Sequence, residues 1–368
     1  MRILITGNLG YVGPAVVAHL RTCHPGAELI GFDTGLFATA LTTPGPAPET
    51  LLDAQHYGDV RDITADRLAG VDAVVHLAAI SNDPIGNRFE QVTDAINRGA
   101  SLRLAAAARD AGVGRFVFAS SCSVYGLADT GARREGDAVA PLTAYARSKV
   151  ATEDGLRQMD LGGMAATCLR FATACGFSAR LRLDLVLNDF VACALTSGQI
   201  SVLSDGTPWR PLIDVADMAR AIEWACLRPP ETGGRMLVVN VGSDDRNHQV
   251  RDLAQAVAAA VPGAQVSINT AAPPDARSYR VDFARFRELA PAHQPRVDLA
   301  ASIAGLAAGL RDIGFADAEF RRSPRLIRLN TVAALQAQGA LTPDLRWASR
   351  RVGRATEQAH HAQRGARQ

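Results

Sequence analysis

The stretch Arg2–Gly13, RILITGNLGYVG, joins a short apolar run to a glycine-rich turn. Arg2–Thr6 has the Ile and Leu content of a strand buried on both faces, and the helical apolar spacing of VVAHLRTC follows the turn. Gly7 permits a tight turn, Gly10 lets the backbone approach a pyrophosphate, and Gly13 allows close packing of helix against strand. Because a helix N-terminus offers free N–H groups to an anion, the stretch predicts a dinucleotide-binding βα unit.

Further strands and helices alternate along the chain after this first unit. Apolar runs typical of strands occur in ELIGFD (28–33), DAVVHLAA (72–79) and RFVFASS (115–121), and an Ala-rich helical segment covers 101–111. Strands that alternate with helices form a parallel sheet with right-handed crossovers. The predicted fold class is therefore α/β, a Rossmann-type doubly wound parallel sheet with a smaller C-terminal substrate-binding lobe.

Asp33 ends the second predicted strand, twenty residues after Gly13. A carboxylate at this position accepts hydrogen bonds from the ribose hydroxyls of the adenosine half of a dinucleotide. No lysine or arginine occurs between Arg21 and Arg61, so the neighbouring sequence offers no cation for a 2′-phosphate. The sequence thus favours NAD over NADP as the cofactor.

The chain is long enough for two domains. We expect an NAD-binding Rossmann domain at 1–169 with returns near 211–243, a mainly substrate-binding lobe at 170–345, and a disordered tail at 350–368. The tail is rich in arginine and nearly devoid of large apolar side chains. Between these regions, PLIDVADMARAIEWACL (211–227) is predicted to be a helix, and MLVVNVG (236–242) a strand of the first domain.

Composition excludes several classes of protein. The sequence has 39 basic and 37 acidic residues among its 368, so it lacks the lopsided charge that attracts nucleic acid or an anionic membrane. No apolar run is long enough to cross a bilayer, and the first residues lead into a strand, so we expect a cytoplasmic protein. The six cysteines show no CxxC pairing, which favours reduced thiols and predicts no bound metal.

Lys149 is the only lysine in the sequence, against 38 arginines. It follows Tyr145 by four residues on a predicted helix, so both side chains lie on one face about one turn apart. An ammonium beside a phenol lowers the tyrosine pKa from its usual value of about 10, which makes the pair a general base. Ser121 ends the RFVFASS strand and reaches the same crevice. We therefore predict Ser121, Tyr145 and Lys149 as the catalytic residues.

The sequence resembles the extended short-chain dehydrogenase/reductases that act on nucleotide sugars, the NAD-dependent epimerase/dehydratase group. The resemblance covers most of residues 1 to about 300 and is specific for the superfamily rather than for one substrate. It rests on Asp33, Asn97 and the segments TGNLGYVG (6–13), GDV (58–60), VVHLAA (74–79), SSCSVYG (120–126), YARSK (145–149) and DGTPWRPLIDVADMA (205–219).

The resemblance implies further site residues. Tyr145 and Lys149 also contact the cofactor, and Asn97 supports the active-site helix. The other residues implied to contact NAD are Gly7, Gly10, Tyr11, Val12, Gly13, Asp33, Asp59, Val60, Leu77, Ala78, Ala79 and Asn97. The substrate is a nucleotide-diphosphate sugar, and the residues assigned to it are Ser121, Thr173, Asn188, Arg210 and Arg277. The resemblance also implies a homodimer.

Departures from the family pattern narrow the reaction. Sugar 4,6-dehydratases carry an Asp and a Glu directly after the catalytic hydroxyl residue, where this chain has Cys122 and Ser123. Loss of those carboxylates disfavours dehydration and decarboxylation. Epimerases that act at C3 and C5 use a cysteine one residue later, so Cys122 is a weaker candidate for a base. Thr173 replaces a family asparagine, and Arg277 stands in for a family arginine missing at 271 and 272.

These observations predict an NAD-dependent nucleotide-sugar epimerase that inverts C4 through a transient 4-keto intermediate. One alternative is an NAD-dependent 4-ketosugar reductase or dehydrogenase, which would exchange its cofactor with solution at every turnover. Another is a catalytically silent NAD-binding regulator, which the intact catalytic residues disfavour. The sugar, its nucleotide and the inverted carbon depend on loops of the second lobe and stay open at this point.

Overall fold

A computed structural model describes residues 1–128, 131–272 and 277–348 of the chain. The arginine-rich tail predicted to be disordered lies outside these residues. The strands are β1 (Arg2–Thr6), β2 (Glu28–Asp33), β3 (Ala54–Tyr57), β4 (Ala73–His76), β5 (Arg115–Ser121), β6 (Ala132–Arg133), β7 (Ala165–Phe171), β8 (Thr173–Cys175), β9 (Gln199–Val202), β10 (Trp209–Asp214), β11 (Met236–Val241), β12 (Asn247–Gln249), β13 (Gln265–Ile268) and β14 (Arg280–Val281).

Helices follow most strands of the first half of the chain. A π-helical segment, Ala95–Ala100, runs directly into one of them. The α-helices are α1 (Gly13–Cys23), α2 (Asp83–Arg88), α3 (Glu90–Asp94), α4 (Ser101–Asp110), α5 (Ala144–Gln158), α6 (Val186–Thr196), α7 (Val215–Leu227), α8 (Val250–Ala260), α9 (Ala284–Leu289), α10 (Leu299–Asp312) and α11 (Arg328–Ala337).

Seven strands of the described chain form one parallel sheet in the order β11-β7-β5-β4-β1-β2-β3. The strand order reverses between β1 and β4, and in such sheets ligands bind at that reversal, beyond the carboxyl ends of the strands. The interior strands are buried almost throughout, as expected for a sheet covered by helices on both faces. This arrangement confirms the predicted α/β, Rossmann-type fold.

The smaller lobe is built from short sheets and helices after β7. Strands β12, β10 and β8 form one sheet, and β9 pairs with β13 beside α6 and α8. Strand β11 pairs with β7, so Met236–Val241 lies in the central sheet. The prediction of a helix from 211 was wrong, since Pro211–Asp214 completes β10. Asp214 then accepts a hydrogen bond from the N–H of Ala216 and caps α7, which fixes the helix start.

The C-terminal segment, defined here as 328–348, lies against the first domain. Val332, Leu341 and Leu345 pack with Ile85 of α2 in a small apolar cluster. Trp347 donates a hydrogen bond from Nε1 to the carbonyl oxygen of Thr34, at 2.6 Å. The end of the described chain therefore reaches the loop that follows β2.

Candidate active site

A cleft of about 750 Å³ opens at the carboxyl edge of the central sheet, between the sheet and the smaller lobe. The loops after β1, β2, β4 and β5 form one wall, as the strand order requires. Most of the residues predicted from the sequence lie in its wall. Those that line the cleft are Gly7, Gly10, Tyr11, Val12, Asp33, Asp59, Val60, Leu77, Ala78, Ala79, Ser121, Tyr145, Lys149, Thr173, Arg210 and Arg277.

The glycine turn has the close approaches for which glycine is needed. Gly7 has a φ of +77°, and a Cβ there would lie 2.5 Å from the backbone nitrogen of Ala78. Gly13 lies outside the cleft lining, and a Cβ there would meet the carbonyl oxygen of Asn8 at 2.1 Å. No side chain caps the start of α1 and its first turn holds no acidic residue. Its N–H groups are thus available to an anion.

Asp33 is fixed at the end of β2 by two backbone donors. Leu9 donates its N–H to Oδ2 at 3.1 Å, and Gly35 donates to Oδ1 at 2.7 Å. Burial raises the pKa of this carboxyl, and the two hydrogen bonds oppose the shift. Arg180 is distant in sequence, and its charge also opposes the rise of the Asp33 pKa. Its guanidinium donates to both carboxylate oxygens of Glu49. The cation near Asp33 is therefore already paired with a carboxylate.

Asp59 lines the cleft, but its carboxylate is engaged within the protein. Oδ1 accepts hydrogen bonds from the N–H of Arg61 at 2.8 Å and from its Nε at 2.9 Å. Arg346 of the C-terminal segment lies 3.9 Å from Oδ2. Val60 beside it is buried. The predicted adenine end of the cleft is thus bounded by backbone, Val60 and an ion-pair network that includes the C-terminal segment.

The predicted catalytic residues meet in the cleft. Helix α5 begins after Thr143, whose hydroxyl accepts the N–H of Ala146 at 3.2 Å, and it carries Tyr145 and Lys149 inward. Ser121 at the end of β5 hydrogen-bonds the Tyr145 side chain. Lys149 donates from Nζ to the carbonyl oxygen of Ala119 at 2.7 Å. The phenol, the hydroxyl and the ammonium therefore share one hollow.

The electrostatics of Tyr145 differ from the sequence-based expectation. Burial raises its pKa to about 12, although the hydrogen bond from Ser121 and the charge of Arg182 oppose the shift. Burial also lowers the pKa of Lys149 to about 7. The expected lowering of the Tyr145 pKa by Lys149 is thus not found. The reason is that desolvation dominates and the ammonium is directed at a backbone carbonyl.

Asn97 lies behind the active-site helix rather than in the cleft lining, although the resemblance implies that it contacts NAD. Its amide Nδ2 donates to the Ser148 hydroxyl and to the carbonyl oxygen of Ile80, both at 3.0 Å, and Oδ1 accepts the N–H of Ile80 at 2.8 Å. The residue lies in the π-helical segment Ala95–Ala100, a distortion common near functional sites. Asn97 therefore links α5 to the loop that follows β4.

Asn188 does not face the cleft, although the resemblance implies that it contacts the substrate. It is fully buried at the start of α6. Its Nδ2 donates to the Tyr11 hydroxyl at 3.0 Å and to the carbonyl oxygen of Arg182 at 2.9 Å, while Oδ1 accepts the N–H of Gly176 at 3.1 Å. With donor and acceptor both engaged, Asn188 holds the wall that carries Tyr11 and Arg182.

Several charged residues of the cleft were missed by sequence analysis. Arg182 lines it and pairs with Asp184, Nε to Oδ1 at 2.9 Å. Asp83 at the start of α2 accepts a bond from Nη1 of Arg277 at 3.1 Å, across the cleft. Asp83 begins α2 and Arg182 lies outside the named elements, and neither sequence carries a motif. Only the tertiary fold brings them together.

Cys122 and Ser123 differ in where they face. Cys122 is fully buried, with Sγ 3.0 Å from the carbonyl oxygen of Arg170, and burial raises its thiol pKa far above the usual value. Ser123 lines the cleft. A cysteine base at position 122 therefore has no access to a substrate in this structure.

Three features of the cleft fit a dinucleotide. The glycine turn lies so close to neighbouring backbone that it leaves no room for a Cβ. The uncapped start of α1 can bind a pyrophosphate, and the carboxylate at the end of β2 can bind a ribose. Fold and site together define a Rossmann-type short-chain dehydrogenase/reductase. The family model of the NAD-dependent epimerase/dehydratase family matches residues 3–242. The chain belongs to that family, and its cofactor is NAD.

Comparison with known proteins identifies relatives of two reaction types. The chain is 30% identical to the uncharacterized UDP-glucose epimerase YtcB of Bacillus subtilis, over 67% of this chain and 78% of the relative. It is 28% identical to a UDP-glucose 4-epimerase of Corynebacterium glutamicum, over 67% and 76% respectively. The structure of DesIV, a dTDP-glucose 4,6-dehydratase from Streptomyces venezuelae solved with NAD bound, superposes with a TM-score of 0.71 at 25% identity, covering 86% of this chain and 99% of DesIV.

The relatives indicate an NAD-dependent enzyme that acts on sugar nucleotides by epimerisation or dehydration. Within the described residues, no helix is both long and apolar enough to span a membrane.

Proposed function

We propose that this protein is a nucleotide-sugar epimerase that inverts C4 through a transient 4-keto sugar. The observation that carries the proposal is the convergence of Ser121, Tyr145 and Lys149 in one cleft whose β5 end presents Ser123 and no carboxylate. Oxidation and re-reduction at one carbon need a base for the hydroxyl proton and a hydrogen-bond donor to the same oxygen. Tyr145 and Ser121 can supply these two functions. Elimination of water from C6 needs in addition an acid and a base.

The carboxylates at the sugar end support the same choice. Asp83 is paired with Arg277, and Asp184 is paired with Arg182 and bonded by Asn82. Burial alone would raise the pKa of Asp184, but the charge and hydrogen bonds of Arg182 lower it below its ordinary value. A carboxyl held ionised is a poor proton donor to a leaving hydroxyl. These carboxylates are therefore poorly suited to dehydration, whereas epimerisation at C4 does not require them.

The residues divide the chemistry as follows. Tyr145, ionised to the phenolate, takes the C4 hydroxyl proton, and Ser121 donates a hydrogen bond to the same oxygen as the carbonyl forms. Lys149 holds the β5 backbone through Ala119 and places a positive charge beside the phenol. NAD held by the glycine turn, the start of α1 and Asp33 would supply reversible hydride transfer at C4. Tyr145 then returns its proton to the new hydroxyl.

The diphosphate and sugar meet the cleft wall formed by the smaller lobe. Arg210 on β10 and Arg277 opposite α2 supply positive charge to the lining. Thr173 hydrogen-bonds Tyr279, so its hydroxyl is held at this wall. We assign the diphosphate to Arg210 and Arg277, because one guanidinium group can donate two parallel hydrogen bonds to the oxygens of a phosphate. Asn188 is assigned a supporting role, because it holds the Tyr11 side chain and the backbone of Arg182. As in the family, we propose a homodimer, which light scattering on the purified protein would test.

The C-terminal segment favours an epimerase over a reductase that exchanges cofactor at each turnover. Leu345 lines the cleft, and Trp347 and Arg346 fasten the segment to Thr34 and Asp62. Such a cover slows release of a bound dinucleotide. An epimerase regenerates NAD within each cycle and gains from retaining it.

The reaction is tested by incubating the enzyme with UDP-glucose, UDP-N-acetylglucosamine and dTDP-glucose in D₂O, with NMR and mass analysis of the products. We expect a C4 epimer without solvent deuterium on carbon, because the hydride returns to the carbon it left. Deuterium beside a ketone would indicate C3/C5 epimerisation, and loss of one water would indicate dehydration; either result overturns the proposal. NAD released by heat is expected at one per chain, whereas an empty site would favour the reductase.

A further inference from the structure

A cluster of metal-ligating side chains lies outside the cleft, at the far end of α1. It comprises His19, Cys23, His24, Glu223 and His293, and is called the histidine cluster below. Helix α1 begins at the cleft and runs back toward the opposite edge of the sheet, so its eleven residues place its last turn about 16 Å from the glycine turn. Among the described residues that line the cleft, none belongs to the cluster.

Three of the chain's eight histidines converge on one carboxylate. Nε2 of His19 lies 2.6 Å from Oε2 of Glu223, and Nε2 of His24 lies 2.9 Å from Oε1. Nε2 of His293 lies 3.7 Å from Oε2. The Glu223 side chain is 12% exposed, so this convergence happens at a largely buried anion. One imidazolium would be enough to neutralise the Glu223 carboxylate, and two further imidazoles lie beside it.

A thiol completes the set. Cys23 follows His19 by four residues, which places both on one face of α1, and its Sγ lies 3.8 Å from Nε2 of His19. Donor atoms of His19, Cys23 and Glu223 all lie within 4.8 Å of one another. Cys23 is the exposed cysteine, whereas the other five are buried. The thiol is therefore accessible to a cation that arrives from solvent.

The distances match a tetrahedral site for a borderline divalent ion. Zinc bonds of about 2.0–2.3 Å to N, O and S place neighbouring ligand atoms about 3.3–3.7 Å apart. Nε2 of His19 lies 2.6 Å from Oε2 of Glu223 and 3.8 Å from Sγ of Cys23, and the donor atoms of these three residues all lie within 4.8 Å of one another, close to that range. A thiolate and a carboxylate would supply two negative charges. The nearby cation Arg220 is held by the carbonyl oxygen of Ala292 and lies close to Asp217.

We propose that His19, Cys23 and Glu223 bind one zinc-class divalent ion, with a solvent molecule as its fourth ligand and with His24 and His293 at its edge. The ion would cross-link α1 to α7, two helices that pack together on the sheet. Its role would be to hold the first βα unit in place, remote from the chemistry. Sequence analysis predicted no metal because the cysteines lack paired spacing. Here the ligands come from α1 and from α7, some 200 residues later, so only the fold reveals them.

The test uses the full-length, untagged protein, stripped with a chelator and titrated with Co²⁺ and then Zn²⁺ alone. We expect one ion per chain, tetrahedral Co²⁺ absorption and a thiolate-to-cobalt charge-transfer band that Zn²⁺ displaces. Cys23→Ser should abolish the charge-transfer band, and Glu223→Gln should weaken Zn²⁺ binding by about 10- to 100-fold. Zinc should raise the melting temperature of the unaltered protein more than that of Cys23→Ser.

Two control variants separate this site from adventitious binding. His56→Gln removes a histidine outside the cluster, and a double His360→Gln, His361→Gln variant removes the histidine pair near the chain end. Both should keep the stoichiometry and the charge-transfer band. The proposal is overturned if the protein takes up no stoichiometric ion, if Cys23→Ser keeps the band, or if the double variant loses it. Because Cys23 is exposed, its substitution should leave the fold and the NAD content intact.

Discussion

The ammonium nitrogen of Lys149 lies 5.4 Å from the centre of the Tyr145 ring, on the same face of α5. In a chain with 38 arginines, this position holds the one lysine. The residue is 2% exposed and its Nζ lies 4.5 Å from the centre of the Phe118 ring, an enclosed position that suits the compact ammonium by which lysine differs from arginine. The requirement for a compact cation therefore explains why lysine is present here.

Substitution of Tyr145 by Phe should abolish turnover and leave NAD bound. The phenol is the proposed proton acceptor, and removal of a general base costs roughly 10²- to 10⁴-fold in rate. The ring remains, so the cleft keeps its shape. Rates are measured by NMR on the nucleotide sugar and NAD by heat release. Tyr57→Phe, at a side chain 69% exposed, is the matched control and should retain full activity. An active Tyr145→Phe enzyme would refute the base assignment.

The buried Lys149 should make stability depend on pH. Its folded pKa of about 7 lies below the ordinary value of 10.5, so unfolding takes up a proton between these pH values. Burial of the protonated side chain lowers the free energy of unfolding by its full amount below pH 7, and this loss disappears as the pH rises toward 10.5. The free energy of unfolding of the nucleotide-free protein, relative to Lys149→Met, should increase by on the order of 1 kcal/mol per pH unit in that window. Urea unfolding at several pH values measures it, and a flat difference would contradict the burial argument.

Gly13→Ala should destabilise the first βα unit. A Cβ at this position would lie 2.1 Å from the carbonyl oxygen of Asn8, a backbone atom that cannot move aside cheaply. Overpacking of this kind costs about 1–3 kcal/mol, and the displaced turn should also bind NAD less tightly. Gly26→Ala is the control, because a Cβ there has nothing within 4 Å. Thermal unfolding and NAD content of the two variants give the comparison, and equal melting temperatures would count against the close packing.

The first domain was predictable because its signals are local. The glycine turn, Asp33 and the Tyr145–Lys149 spacing each lie within a single βα unit, and the parallel sheet then fixes where their ends meet. The predicted returning strand at 236–242 was also recognisable from its apolar run. Its partner β7 lies about 70 residues earlier, but any strand so apolar must be buried in the sheet.

The remaining parts of the site depend on tertiary contacts that the sequence does not encode locally. Asn188 resembles a substrate ligand by position, yet its amide is used by Tyr11 and Gly176 inside the wall. Arg182 carries no motif, yet it lines the cleft and acts on Tyr145. The pKa of Tyr145 was mispredicted because helical spacing gives the distance to Lys149 but not the desolvation, which is the larger effect here.

The C-terminal segment should control how fast NAD leaves. Arg346 pairs with Asp62 and with Asp344 at 3.3 Å, and it approaches Asp59 at the predicted adenine end. Its side chain is 37% exposed, so the network is worth only about 1 kcal/mol. Arg346→Ala should therefore speed NAD release about fivefold, since 1.4 kcal/mol corresponds to tenfold.

Exchange of bound NAD against isotopically labelled NAD measures this rate. Arg322→Ala is the matched control, because its side chain is 86% exposed and pairs with Glu319 away from the cleft lining. The segment acts as a cover only if release accelerates in Arg346→Ala and not in Arg322→Ala. Equal exchange rates would mean that the cofactor leaves by a route that Leu345 and Trp347 do not obstruct, and the argument for retained NAD would then depend on the catalytic residues alone.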